Sequence, residues 1–218
     1  LVAFLSAFIP LSTDLYLPAL PKMAENFQAA PSLINLTLIM FFIFYAAGSL
    51  FWGPLSDKYG RKPILLIGLV IYTVASALCA FAANVYLLIG FRIIQAIASG
   101  AATAVAQAIV KDSYSGPKGV SVLSVVTSMA MISPIVAPVI GALILRFTSW
   151  RGVFLFLAAV GLLVIAAVIA MEETIEERST AGIIESLGRL GVVAKNPGFM
   201  SLLLTFSLMG IPMMSFIS

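Results

Sequence analysis

Six stretches of about 20 or more apolar residues, joined by short polar turns, decide what this chain can be. They cover about 1–20, 33–54, 63–83, 86–110, 119–145 and 151–171, and a seventh begins near 199. A helix needs about 20 such residues to cross the hydrocarbon core of a bilayer. Within lipid each backbone N–H and C=O must find its partner in the protein, which a helix provides within one segment. Short connections make consecutive helices antiparallel neighbours. The expected fold is an all-α integral membrane bundle. Only 10% of the 218 residues are charged, against roughly a quarter in a soluble domain.

The few cations are unevenly placed. With the turn at 55–62 on the cytoplasmic side, that side holds Lys58, Arg61, Lys62, Lys111, Lys118, Arg178, Arg189 and Lys195. The opposite side holds Lys22, Arg146 and Arg151, and Arg92 falls within a run. Lys and Arg concentrate in cytoplasmic loops, so the N-terminus is expected in the cytoplasm. A net charge of +3 distributed this way reads as membrane topology, with no aromatic-interleaved basic patch for nucleic acid. The chain has no His and one Cys. That removes His-based catalytic pairs and zinc motifs as well as a disulfide framework. No metal, cofactor or enzymatic chemistry is expected.

The densest charged turn is Gly53-Pro-Leu-Ser-Asp57-Lys-Tyr-Gly60-Arg61-Lys62-Pro63. Gly53 and Pro54 are expected to break a helix that ends near Trp52, and Pro63 to open the next, where its missing N–H costs nothing. The pattern Gly-x-Leu-x-Asp-x-x-Gly-Arg-Lys resembles the signature loop between spans two and three of the major facilitator superfamily, with every fixed position filled. The resemblance implies a twelve-span fold, of which this chain is the six-helix N-terminal bundle, made of two inverted three-helix repeats and truncated within helix seven. It also implies a conformational latch at Gly53, Asp57, Gly60 and Arg61, with Asp112 as a third charged member. The other reading of these charges is an exposed set worth little. An internal echo agrees with the repeats: Gly48-Ser-Leu precedes the turn after run two and Gly141-Ala-Leu the turn after run five. Inverted three-span repeats are a transporter device.

Asp14 and Arg92 are ionisable residues in or near apolar runs, and such groups usually face a cavity or a partner. By the repeats they lie on the first span of each triplet, facing one aqueous pathway. Burial favours the neutral acid and a nearby cation the carboxylate, so Asp14 in Ser12-Thr-Asp14-Leu-Tyr16-Leu-Pro18 can load and release a proton as its surroundings change. Its alternative is an interfacial group satisfied by water. Arg92 can likewise snorkel to the interface. Gly90-Phe-Arg92-x-x-Gln95-Ala-x-x-Ser-Gly100 resembles the superfamily's fourth-span motif, which ties Arg92 to proton coupling. Ala137-Pro138-Val-Ile-Gly141-Ala is similar to the fifth-span motif of proton-coupled exporters and implies a bent, tightly packed helix at Pro134, Pro138 and Gly141.

Thr13-Asp14-Leu-Tyr-Leu-Pro-Ala-Leu-Pro21 is similar to the start of the bicyclomycin and chloramphenicol resistance exporters. That branch implies export of small, largely apolar drugs by alternating access in exchange for protons, in the inner (plasma) membrane. The proton gradient is then the energy source, and the full-length chain works as a monomer. Tyr16, Phe41, Tyr45 and Gln95 are the expected cavity-wall residues, with lipid-facing or core packing as the other reading for the span-two aromatics. Two alternatives remain: a proton-coupled exporter of a sugar or amino-acid metabolite, and a fragment inactive on its own. The chain starts without Met and stops inside an apolar run, which reads as a piece of a longer protein. The expected organisation is a bundle over 1–171, a cytoplasmic linker over 172–198 and the start of span seven over 199–218. In the linker, Ile183, Ile184, Leu187 and Leu190 fall on one helical face, as in an interfacial amphipathic helix. A plain flexible linker is the other reading.

Overall fold

The computed structural model describes residues 2–6, 8–114, 116–175, 188 and 195–215, most of them helical. The chain divides into two compact units, Leu1–Ser179 and Thr180–Ser218. The first contains α1 (Val2–Ser6), α2 (Phe8–Asp14), a 3-10 turn (Leu17–Ala19), α3 (Leu20–Phe27), α4 (Pro31–Tyr59), α5 (Arg61–Ala80), α6 (Val85–Ser113), α7 (Gly116–Phe147) and α8 (Trp150–Ile169). The second contains α9 (Pro197–Ser215), whose N-terminal amides at Gly198 and Phe199 donate to Asn196 Oδ1. The face expected at Ile183, Ile184, Leu187 and Leu190 lies outside the described residues.

Helices α4 to α8 are each long and apolar enough to cross a membrane. At 29 residues, α4 is about 43 Å long, well over the ~30 Å hydrocarbon core. The first apolar run is different. It turns at Leu15–Tyr16, passes through the 3-10 turn and restarts as α3. Pro18 and Pro21 each sit in the first turn of the segment they open, the position where proline fits. Leu15 and Tyr16 are wholly buried, as irregular backbone at membrane depth must be.

Two expected boundaries move. The helix does not end at Trp52: α4 runs through Gly53 and Pro54 to Tyr59. A single proline removes one N–H, and a long packed helix absorbs that loss. The turn to α5 is one residue, Gly60, with φ 106°, a conformation glycine adopts readily. The stretch expected as a polar connection over 21–32 is largely helix α3, closed by Gln28 at φ 49°.

Within the first unit, α4 packs on α6, α6 on α5 and α5 on α8, while α1 and α2 lie against α6 and α7. Exchanging the triplet of the first run, α4 and α5 with that of α6, α7 and α8 carries the α4–α6 contact onto that of α7 with the first run. The same exchange maps α5–α8 onto itself. The glycines of the internal echo mark these crossings. A Cβ on Gly48 would lie 2.7 Å from the Ile97 carbonyl oxygen, and one on Gly141 would collide with the Leu15 carbonyl oxygen. Gly100 repeats the approach from the α6 side, 2.7 Å from the Ser49 nitrogen. Close backbone approach through small residues is how helices associate where lipid offers no hydrophobic drive.

The crossings predict a contrast in stability. Gly48→Ala and Gly141→Ala in the full-length protein each cost about 1–3 kcal/mol, because a backbone carbonyl cannot swing aside. Gly90→Ala, which meets nothing within 4 Å, is neutral or stabilising. Apparent unfolding midpoints in detergent check this, and three equal midpoints would remove the close crossings.

Candidate functional site

Two polar centres interrupt the apolar bundle. The inner one is built on Arg92 of α6, which is wholly buried; the snorkelling alternative is therefore corrected. Its Nη1 donates to the Ser12 carbonyl at 3.1 Å and to Gln95 Oε1 at 2.8 Å. Around the guanidinium stand the rings of Phe41, Tyr16 and Phe154, with centroids at 4.2, 4.7 and 5.9 Å. Ring faces carry negative charge density, so they solvate a cation that water cannot reach. Gln95 passes the network on, its Nε2 donating to Ser76 Oγ at 2.7 Å. Tyr72, one turn before Ser76 on α5, shares a 2.5 Å hydrogen bond with Ser12. Tyr16 bonds Thr37 of α4 at 2.6 Å.

The centre is incomplete. Arg92 Nε and Nη2 are buried without a hydrogen-bond partner. Among the described residues, both salt bridges belong to Arg61 and none to Arg92. Asp14 does not pair with Arg92. It is half-buried at the end of α2, accepting from Thr13 Oγ1 at 3.1 Å, two residues beyond the Ser12 carbonyl that Arg92 holds. Tyr16, Phe41 and Gln95, expected on a cavity wall, are instead wholly enclosed around Arg92, because a buried guanidinium needs acceptors and ring faces at contact distance. Tyr45 is half-buried on α4.

The second centre lies at the junction of α4 and α5. Arg61 Nη1 donates to Asp57 Oδ1 at 2.5 Å and to Ser56 Oγ at 2.6 Å, and its Nε to Asp112 Oδ2 at 2.8 Å. The Arg61 side chain is 6% exposed, against 49% for Asp57 and 24% for Asp112. The structure thus brings Asp57, Arg61 and Asp112 together, with Gly60 forming the turn and Gly53 one helical turn before Asp57 inside α4. Pro134 and Pro138 lie within α7, and Gly141 packs on the turn that follows Asp14.

Sequence reasoning missed Ser12, Tyr72, Ser76 and Phe154. Tyr72 and Ser76 are four residues apart on α5, which places two polar groups on one face of an apolar helix, and that signal was available. Phe154 gives none, being one aromatic among many. A cavity of about 540 Å³ opens between the C-terminal half of α6 and the start of α7, beside Gln107, Lys111, Tyr114, Gly119 and Leu123; it contains no expected site residue. Among the described residues no group of three or more His, Cys, Asp and Glu is placed to hold a metal ion.

Known proteins are similar to this chain in sequence and in fold. A bicyclomycin resistance protein homolog of Haemophilus influenzae is 31% identical over 196 residues, covering 89% of this chain and 48% of that protein. A chloramphenicol resistance protein of Pseudomonas aeruginosa is 39% identical over 158 residues, covering 72% of this chain and 37% of that protein. The chain therefore spans about half the length of these relatives or less. The crystal structure of the human organic anion transporter MFSD10 superposes with a TM-score of 0.70 over 88% of this chain and 53% of that one, at 22% identity, which shows a shared fold. Residues 2–218 match the Major Facilitator Superfamily, and with its all-helical bundle of apolar spans the chain belongs to that superfamily of transporters and is a multi-pass membrane protein.

Proposed function

We propose that this chain forms the N-terminal half of a proton-coupled multidrug exporter, which moves small, largely apolar drugs by alternating access in exchange for protons. The observation that carries the reading is the buried Arg92 with two open donors, joined through Ser12 to the segment that bears Asp14. Resistance exporters among the relatives support the substrate class. The Lys and Arg bias supports an N-terminus in the cytoplasm, and the bacterial relatives support the inner (plasma) membrane. The full-length chain works as a monomer without a resident cofactor.

In this mechanism drug binds the inward-open cavity while Asp14 is a carboxylate. A proton arriving from outside neutralises Asp14 and changes what the Ser12–Arg92 contact must balance. Exclusive binding of drug and proton couples the fluxes, since a ligand shifts an equilibrium only by its differential affinity for the two states. Each inward proton gains about 2.3 kcal/mol per 100 mV of membrane potential. Asp57, Arg61 and Asp112 act as the cytoplasmic latch that holds one of the two states. Pro134, Pro138 and Gly141 keep α7 close to the first run and limit leak.

Two experiments test these roles. In inverted vesicles holding the full-length protein, wild type accumulates drug only with a proton gradient, and Asp14→Asn loses that dependence. Normal gradient-driven uptake by the variant would remove Asp14 from coupling. For the latch, double-mutant cycles read from unfolding midpoints give a larger Arg61–Asp112 coupling, about 2 kcal/mol, than Arg61–Asp57, below about 1 kcal/mol. Solvent screens the more exposed pair more strongly. An Arg61–Asp112 coupling near zero would take Asp112 out of the latch.

A further inference from the structure

The first turn of α5 has amide groups with no partner inside the helix. Gly60, at its N-cap, offers no side chain. The acceptor comes from 112 residues away: Glu173 Oε1 accepts the Arg61 N–H at 2.9 Å, and Oε2 accepts the Lys62 N–H at 3.2 Å. The same carboxylate accepts the Thr174 and Ile175 amides at 3.0 and 3.4 Å, so the chain leaving α8 folds onto it. A carboxylate at a helix N-terminus is also favoured by the helix dipole. The tie is reciprocal. Lys62 Nζ donates to the Ile169 carbonyl at 2.8 Å, a cation on the last carbonyls of α8, where the dipole favours it. Gly60 is part of the fit, because a Cβ there would fall 2.6 Å from Glu173 Oε2. In sequence, Glu173 falls at the start of the stretch expected as a cytoplasmic linker.

We propose that Glu173 is a positioning residue for the Arg61 centre, clamping the chain that leaves α8 to the turn at Gly60–Lys62. Arg61 is held from two sides. Its backbone N–H is fixed by Glu173, and its side chain reaches Asp57, Ser56 and Asp112. Fixing the amide fixes where the side chain starts, and so whether one guanidinium can span both carboxylates. When the clamp opens, the first turn of α5 frays and Arg61 no longer bridges Asp57 and Asp112. The consequence for transport rests on the exporter reading; the clamp itself does not.

The test uses the full-length protein in lipid nanodiscs as wild type, Glu173→Ala and Glu173→Gln. Hydrogen exchange reports the Arg61 and Lys62 amides. In ¹⁵N-arginine-labelled protein, a slowly exchanging Nε–H signal that disappears in Arg61→Lys identifies the bond to Asp112. Glu173→Ala is expected to speed exchange at the two amides about tenfold, the loss of a hydrogen bond to a charged acceptor, with the middle of α5 unchanged. It also shifts or broadens the Arg61 Nε–H signal. Glu173→Gln, which keeps one acceptor oxygen, falls between. Drug efflux then drops several-fold in turnover with KM held. Unchanged exchange would overturn the clamp. Faster exchange with an unmoved Arg61 signal would reduce Glu173 to a helix cap and overturn the positioning role. Absence of transport in the wild type would sink the exporter reading and leave the exchange and arginine measurements to decide the clamp.

Discussion

A guanidinium enclosed in a membrane-spanning bundle is the constraint to which the neighbouring helices answer. Removing a charge from water costs several kcal/mol even after relaxation. Hydrogen bonds to a charged group return about 1.5–3 kcal/mol each, and a desolvated ring face about 2. Arg92 collects these from different parts of the chain: the Ser12 carbonyl and Tyr16 from the first run, Phe41 from α4, Gln95 from its own helix and Phe154 from α8. Withdrawing any one element leaves the cation short. The charge thus makes the packing of the first run, α4, α6 and α8 conditional on one another. Its two open donors keep the balance close, and a centre near balance responds to a change of charge beside it.

That centre stands in a frame set by backbone contact. Gly48 brings α4 onto Ile97 of α6, and Gly141 brings α7 onto Leu15 of the first run. The two contacts are equivalent under exchange of the helix triplets. One falls five residues after Arg92 and the other directly after Asp14. Each ionisable residue therefore sits beside a crossing where no side chain separates two helices. A change in the turn at Leu15–Tyr16 has no soft layer to absorb it and passes into α7.

The spans were legible because hydropathy over about 20 residues is a strong signal, and the Arg61 centre because its charges crowd into one turn. The proline at 54 was over-read: in a 29-residue helix one lost N–H is a small part of the total. Burial faces were harder. An amphipathic pattern marks the core face of a soluble helix, but in a membrane the lipid face is apolar as well. Sequence therefore named Tyr16, Phe41 and Gln95 without telling a cavity wall from an enclosed shell. Glu173 was illegible for another reason. Its partners on α5 are amides, which every residue has, and they lie 111 and 112 positions away.

The two polar centres share their helices. Arg61 opens α5 and Tyr72 and Ser76 follow on it; Arg92 and Gln95 lie early on α6 and Asp112 near its end. Arg61 and Ser76 are about 22 Å apart along α5, and Arg92 and Asp112 about 30 Å along α6. With the first turn of α5 intact, separating Arg61 from Asp112 on a larger scale shears α5 against α6 or bends one of them. Shear is opposed in two places, by the Gln95–Ser76 hydrogen bond and by Gly68, where a Cβ would collide with the Ala101 side chain. Packed cores choose between discrete arrangements and do not deform smoothly. The α5–α6 pair is therefore the element whose position both centres can bias, and a physical link between them needs no continuous chain of polar contacts.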